Sequence, residues 1–221
     1  MSRKTIPAGM PLHPPYAFPQ WLAPLMPRVI TRMPAKNKKL YLSFDDGPDP
    51  EVTPYVLDVL KDYDAHATFF LIGDRIQGRH RLLQRMVREG HRLGNHTFHH
   101  LNAWKTPCRD YLQSIDRTAE LIRQFQEQDP PLFRPPYGRL TPRCLRRIPG
   151  EYRIVLWSYL SLDYDRRINP EKSLDLLKQK LAPGHILVFH DSRKAFSSLR
   201  RILPPLLEHF TRRGFDFDKL F

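Results

Sequence analysis

From residue 38 onward, short and nearly unbroken apolar runs alternate with longer stretches whose apolar positions recur every three to four residues. Residues 39–44 and 67–72 have the length and apolar content of buried strands, the second ending at Gly73. Between them, residues 53–64 put Val56, Leu57, Val59, Leu60 and Tyr63 along one helical face. Residues 79–90 turn Leu82, Leu83, Met86 and Val87 inward, and Gly90 supplies a C-terminal stop. A brief strand is expected at 92–95, a helix over 109–126 and a short extended segment at 132–133. Thr141 is placed to cap a short helix with Pro142 at its first position. A strand at 152–159, a helix at 171–181 and a strand at 185–189 follow. Residues 198–213 read as a helix interrupted at Pro204-Pro205, and 215–217 as a closing strand. Strand–helix alternation within one chain predicts a parallel α/β architecture of about seven strands and six helices.

The 221 residues, 41% of them hydrophobic, suit one domain with a substantial core. That domain is expected over residues 38–221, preceded by a Pro-rich, irregular strap over residues 1–37. The apolar stretch at 16–30 is broken by Pro19, Pro24 and Pro27, which interrupt any continuous apolar helix. No signal-peptide core and no transmembrane segment is therefore expected, and location stays open between cytoplasm and envelope. Thirty-six Lys and Arg against 23 Asp and Glu give a formal charge of +13, a balance that favours anionic partners such as an acidic envelope glycan. No aromatic RNA-binding motif or zinc-finger spacing accompanies that charge, so nucleic acid is not the expected partner. Cys108 and Cys144 form no CxxC pair and read as two ordinary thiols in helical segments.

Position along the chain is more informative than composition. Asp45-Asp46-Gly47-Pro48 directly follows the first strand, and His96-Thr97-Phe98-His99-His100 the third. Arg134-Pro135-Pro136-Tyr137-Gly138 follows the fourth, Asp163 lies just beyond the fifth, and His190-Asp191 ends the sixth. In a parallel α/β barrel every strand C-terminus opens on one face, so these five polar clusters converge on one cleft.

Asp45 and Asp46 would face opposite ways on an extended strand, but a turn at Gly47-Pro48 can swing both toward that cleft. Paired carboxylates invite divided labour, one holding a cation and the other handling protons. His96 and His100 are four residues apart, the spacing of one helical face. With a carboxylate they make a ligand complement for a catalytic metal with open positions. His99 is expected to point elsewhere, and His66, His80, His91 and His185 to be packing or surface residues. Asn95-His96-Thr97 matches a glycosylation sequon. A glycan there would sit on the proposed ligand, so the match is set aside.

These motifs resemble the polysaccharide deacetylases, carbohydrate esterase family 4 or the NodB-homology domain. The resemblance runs from about Lys38 to the C-terminus and rests on five stretches in order. Ser43-Phe44-Asp45-Asp46-Gly47-Pro48 resembles the first motif, and Gly94-Asn95-His96-Thr97-Phe98-His99-His100 the second. Arg134-Pro135-Pro136-Tyr137-Gly138 is similar to the third and Ile186-Leu187-Val188-Phe189-His190 to the fifth. The fourth is altered: Leu160-Ser161-Leu162-Asp163-Tyr164 has Leu160 where the family has a first Asp and Tyr164 where it has Trp, and keeps only Asp163.

The resemblance implies a distorted (β/α) barrel that removes acetyl groups, mainly N-acetyl, from carbohydrate. By position, it implies Asp46, His96 and His100 as ligands of a divalent metal, with zinc suited to that set and cobalt, nickel or iron also compatible. Asp45 would be the base, His190 the acid, Arg134 the group orienting Asp45 and Asp163 the group orienting His190. Tyr137, through its backbone N–H, would hold the oxyanion, with Pro136, Trp157 and Tyr164 beside the substrate. Three alternatives stand beside this reading: a glycan-binding protein without activity, a deacetylase of a small non-polysaccharide compound, and a phosphate-transferring hydrolase. The last lacks a Gly-rich phosphate cradle.

Overall fold

A computed structural model describes residues 16–35, 37–127 and 129–221 of the chain. Its elements run β1 (Val29–Ile30), β2 (Lys39–Asp45), α1 (Val52–Asp62), β3 (Thr68–Leu71), α2 (Gly73–Ile76) and α3 (His80–Arg88). Then come β4 (Arg92–Asn95), α4 (Cys108–Arg123), β5 (Leu132–Phe133), α5 (Pro142–Leu145) and β6 (Arg153–Val155). The chain closes with β7 (Tyr159–Leu160), α6 (Pro170–Lys180), β8 (Ile186–His190), α7 (Phe196–Thr211) and β9 (Asp216–Asp218). All strands pair in parallel, in the order β1-β6-β5-β4-β3-β2-β8-β7, with β9 added beside the start of β2.

This sheet curls into a distorted barrel, and the chain itself closes it. β6 belongs to one end of the strand order and β7 to the other, yet only residues 156–158 separate them. Leu156 N–H donates to Ile30 O on one side of the gap, and Ser158 N–H donates to Ile186 O on the other. The single strand expected at 152–159 is thus two short strands, bent because each half pairs with a different edge. The expected strap is more regular than its prolines imply, since it supplies β1 against β6. Residues 1–15 of it lie outside the described residues.

The two-residue period of the strands sorts the core. Leu40, Leu42, Phe44, Phe69, Leu71, Leu187 and Phe189 join α1 and α7 residues in the large outer core. The alternate positions Tyr41, Phe70, Leu132 and Ile186 pack together in the barrel interior. Burying each such side chain is worth about 1.5–3 kcal/mol, so register is strongly held. The same parity carries Ser43 and Asp45 on β2 and His190 on β8 inward. Barrel packing and site placement are one consequence of one alternation.

Two further expectations are corrected. Helix α7 continues through Pro204 and Pro205. The carbonyls these prolines leave unbonded belong to Arg200 and Arg201, which are exposed, while Leu199, Ile202, Leu203, Leu206, Leu207 and Phe210 pin the helix from beneath. Cys108 and Cys144 do sit in helices, at the start of α4 and in α5, but they are joined as a disulfide with Cα atoms 5.5 Å apart. Contact between α4 and α5 brings them within bridging range. No helix among the described residues is long and apolar enough to cross a membrane.

Candidate active site

At the C-terminal mouth of the barrel, Asp45, Asp46, His96, His100, Tyr137, Trp157, Tyr164 and His190 line one cavity of about 490 Å³. Arg134 and Asp163 are buried against it, bonded to lining residues. Pro136 is buried, and it is its neighbour Pro135 that faces the cavity.

On one side, ligand atoms of Asp46, His96 and His100 lie within 4.8 Å of one another. Asp46 Oδ1 is 3.2 Å from His100 Nε2 and 3.8 Å from His96 Nε2, and it is buried with no hydrogen-bond partner. His96 Nδ1 is 2.7 Å from Arg134 O. A carbonyl only accepts, so Nδ1 carries the proton and Nε2 presents its lone pair to the cavity. Burial pulls the His96 imidazole below its ordinary range and takes His100 down to about 4, so both are neutral at pH 7. Burial alone would raise the Asp46 carboxyl, but the neighbouring His190, His96 and His100 bring it below its ordinary value. A carboxylate oxygen with no donor, facing two neutral imidazole nitrogens, is the donor set a divalent cation completes.

The two imidazoles are not on a helix. Residues 96–100 form a loop after β4, and Thr97 (φ 64°) and His100 (φ 52°) fold it back until the rings lie 5.0 Å apart. The expected juxtaposition holds, but a strained turn makes it. Asp46 (φ 75°), Tyr137 (φ 60°) and Leu162 (φ 58°) share that left-handed conformation, so five of the seven such non-glycine residues among the described residues lie in loops of the site. Clustering of this kind is where folds spend backbone strain on positioning. Arg75, on α2, donates to Asp46 O at 2.5 Å and helps hold the turn. Gly138 is needed for space as well, because a Cβ there would come within 2.6 Å of the Trp157 ring.

Behind the cavity Arg134 is fully buried (0% exposed) and makes four hydrogen bonds through its guanidinium. Its Nη1 donates to Asp45 Oδ1 at 2.6 Å and Ser43 Oγ at 2.9 Å; Nη2 and Nε donate to Leu156 O and Val155 O. The Phe70 ring covers the guanidinium at 4.0 Å. Burial lowers the Arg134 pKa and Asp45 opposes that shift. The pair fixes Asp45 with Oδ2 free to face the cavity, 4.0 Å from His96 Nε2.

Opposite, His190 Nδ1 is 2.8 Å from Asp163 Oδ1, and His190 N–H donates to Asp163 Oδ2 at 2.8 Å. Burial disfavours the His190 cation, but Asp163 outweighs it and lifts the imidazole to about 9. Tyr164 packs edge-on to that ring at 4.7 Å. Leu160 lies in the cavity wall. Asn95 is buried and donates to Ile115 O, which disposes of the sequon, and His99 turns away to Asp74.

Arg75, Trp104, Arg139 and Lys194 belong to no motif or hydrophobic period in the sequence, yet the structure brings them to the site. Arg139 and Lys194 line the cavity from loops outside the five motifs, where only the spatial path of the chain brings them in. Asp191, in the last of the five polar clusters, is fully buried: it accepts from Thr53 Oγ1 and packs against Gly47, where a Cβ would collide with its carboxyl.

A parallel barrel with a metal-type triad, a clamped carboxylate and a carboxylate-paired imidazole defines a hydrolase site. The polysaccharide deacetylase family profile matches residues 32–148, and the chain belongs to that family. It is 33% identical over 192 residues to a peptidoglycan-N-acetylglucosamine deacetylase of Bacillus cereus, covering 86% of this chain and 89% of the relative. It is also 33% identical over 155 residues to the peptidoglycan-N-acetylmuramic acid deacetylase PdaC of Bacillus subtilis, covering 70% of this chain but only 32% of PdaC. A crystal structure of a peptidoglycan N-acetylglucosamine deacetylase superimposes with a TM-score of 0.75 at 28% identity, covering 87% of this chain and 91% of that one. The chain is a carbohydrate deacetylase, a hydrolase acting on carbon–nitrogen bonds other than peptide bonds.

Proposed function

We propose that this chain removes N-acetyl groups from a peptidoglycan-type sugar in a metal-dependent reaction, with Asp45 as base and His190 as acid. The observation that carries the reading is the unpartnered Asp46 Oδ1 facing His96 and His100, across one cavity from the His190–Asp163 pair. Residues 38–221 form the catalytic domain, with the segment before them bracing the closure of the barrel. Asp46, His96 and His100 hold the cation, and two imidazoles with one carboxylate favour zinc. Bound there, it supplies Lewis acidity and lowers the pKa of water.

An amide is a poor electrophile with a poor leaving group, so the chain must do three things. Asp45, its Oδ1 held by Arg134, turns Oδ2 toward the cavity to accept a proton from water. The Tyr137 N–H, presented by the turn at Pro136–Gly138, donates to the developing oxyanion, a contribution of about 3–4 kcal/mol for one well-placed donor. His190, kept cationic by Asp163, gives a proton to the departing amine from Nε2. Trp157 and Tyr164 provide aromatic walls for the sugar.

The test is acetate release from N-acetylglucosamine oligomers, peptidoglycan and small acetylated sugars, with the protein chelated and then reloaded with zinc, cobalt, nickel or iron. Release that appears only with metal is expected. Equal release from chelated protein, or none from any substrate, would contradict the reading.

A further inference from the structure

The cavity mouth holds two cations that the deacetylation chemistry does not use. Arg139 lies on the side of His100 and Tyr137, with its guanidinium 4.6 Å from the Trp104 ring and 5.8 Å from the Tyr137 ring. Lys194 lies on the side of His190, with Nζ 5.7 Å from the Tyr164 ring. Both line the cavity, and among the described residues neither has a carboxylate within ion-pair distance. Asp165 feels the Lys194 charge, but its carboxylate is engaged by Arg167 at 2.6 Å. Aromatic faces steer both cations without neutralising them.

The charges beneath this rim largely cancel. Arg134 answers Asp45, and His190 answers Asp163, each in a direct ion pair. Asp46 is left for the metal. Leu160 adds an apolar side chain to the same cavity wall and no carboxylate. The result is a mouth with two positive charges outside any ion pair among the described residues, flanked by Trp104 (64% exposed) and Tyr137 (58% exposed), flat faces on which sugar rings can stack.

We propose that Arg139 and Lys194 select an acetylated sugar carrying an acidic substituent, a carboxylate or a phosphate, over a neutral N-acetylglucosamine chain. This rests on the deacetylase reading and adds the substrate's charge to it. Arg139 offers a planar fork suited to two oxygens, and Lys194 a mobile point charge.

The experiment compares kcat/KM for three substrates. One is a neutral N-acetylglucosamine tetramer, the second a peptide-free strand alternating N-acetylglucosamine with the carboxylate-bearing N-acetylmuramic acid, and the third a 6-phosphorylated N-acetylglucosamine tetramer. The wild type is expected to favour at least one acidic substrate, and which one it favours identifies the source of the charge. In the Arg139→Gln/Lys194→Gln double variant the acidic-to-neutral ratio should fall about tenfold, mainly through KM, given the modest strength of each half-solvated charge pair. Arg139→Lys should recover part of it. A wild type without acidic preference, or a ratio unchanged in the double variant, overturns the proposal. Should no substrate release acetate, the deacetylase reading fails separately. Titration calorimetry of the same oligomers then decides the matter: tighter acidic binding lost in the double variant supports charge selection, and equal binding refutes it.

Discussion

His96 and His100 stand on one side of the cleft and His190 on the other, and their surroundings drive the same imidazole in opposite directions. Burial outweighs the nearby Asp45 and Asp46 carboxylates and leaves the first two neutral, with His100 at about 4. His190 is also drawn out of water, yet the Asp163 charge and its hydrogen bond to Nδ1 reverse the outcome and lift it to about 9. The difference is the nature of the second-layer partner. A backbone carbonyl, Arg134 O, orients His96 without paying for a charge, whereas a carboxylate makes the cation the favoured form. One side is thereby suited to ligation and the other to donating a proton.

Removing the ligand side should have the largest effect. His96→Ala leaves two of the three proposed ligand groups, and metal content by elemental analysis should fall to background, with activity down on the order of a thousandfold or more. Next is Asp45→Asn, which keeps an oxygen for Arg134 but loses the carboxylate proposed as base. Activity should drop by about a thousandfold while metal content stays near wild type, and unchanged turnover would remove Asp45 from that role.

Asp163→Asn should act only on the acid side. His190 loses its counter-charge, so kcat should fall by about a hundredfold and the alkaline limb of the pH–rate profile should move below its expected place near 9. The sign for stability agrees. A raised folded-state pKa contributes most below the ordinary histidine value and is lost as pH rises through about 9, so this variant should lose less stability than wild type over that window. The smallest effect is expected for Arg75→Gln, which frees the carbonyl of Asp46 without touching a ligand atom. Metal affinity should weaken by about tenfold, read by competition with a chromophoric chelator, with the pH profile unmoved.

Strand parity explains why so much of this site was legible in the sequence. Asp45 and His190 are inward positions of β2 and β8, and placing polar motifs at strand ends was enough to bring them together. The His96–His100 pair was legible by spacing but for a reason the structure replaces, because no periodicity encodes the positive φ angles of Thr97 and His100. The split of 152–159 into two strands was invisible, since the bend at 156–158 answers to two different sheet edges and to Arg134 rather than to a local breaker. Arg139, Lys194 and Trp104 were illegible for a related reason: their place at the cavity depends on the course of loops that carry no hydrophobic period.

That one cleft holds two kinds of histidine can be measured directly by NMR titration of the imidazole nitrogens of His96, His100 and His190 in the metal-free protein. The expected result is a cationic His190 up to about pH 9, with His100 neutral down to about 4 and His96 neutral at pH 7. A His190 that titrates at or below the ordinary histidine value, or ligand histidines that are cationic at pH 7, would contradict it.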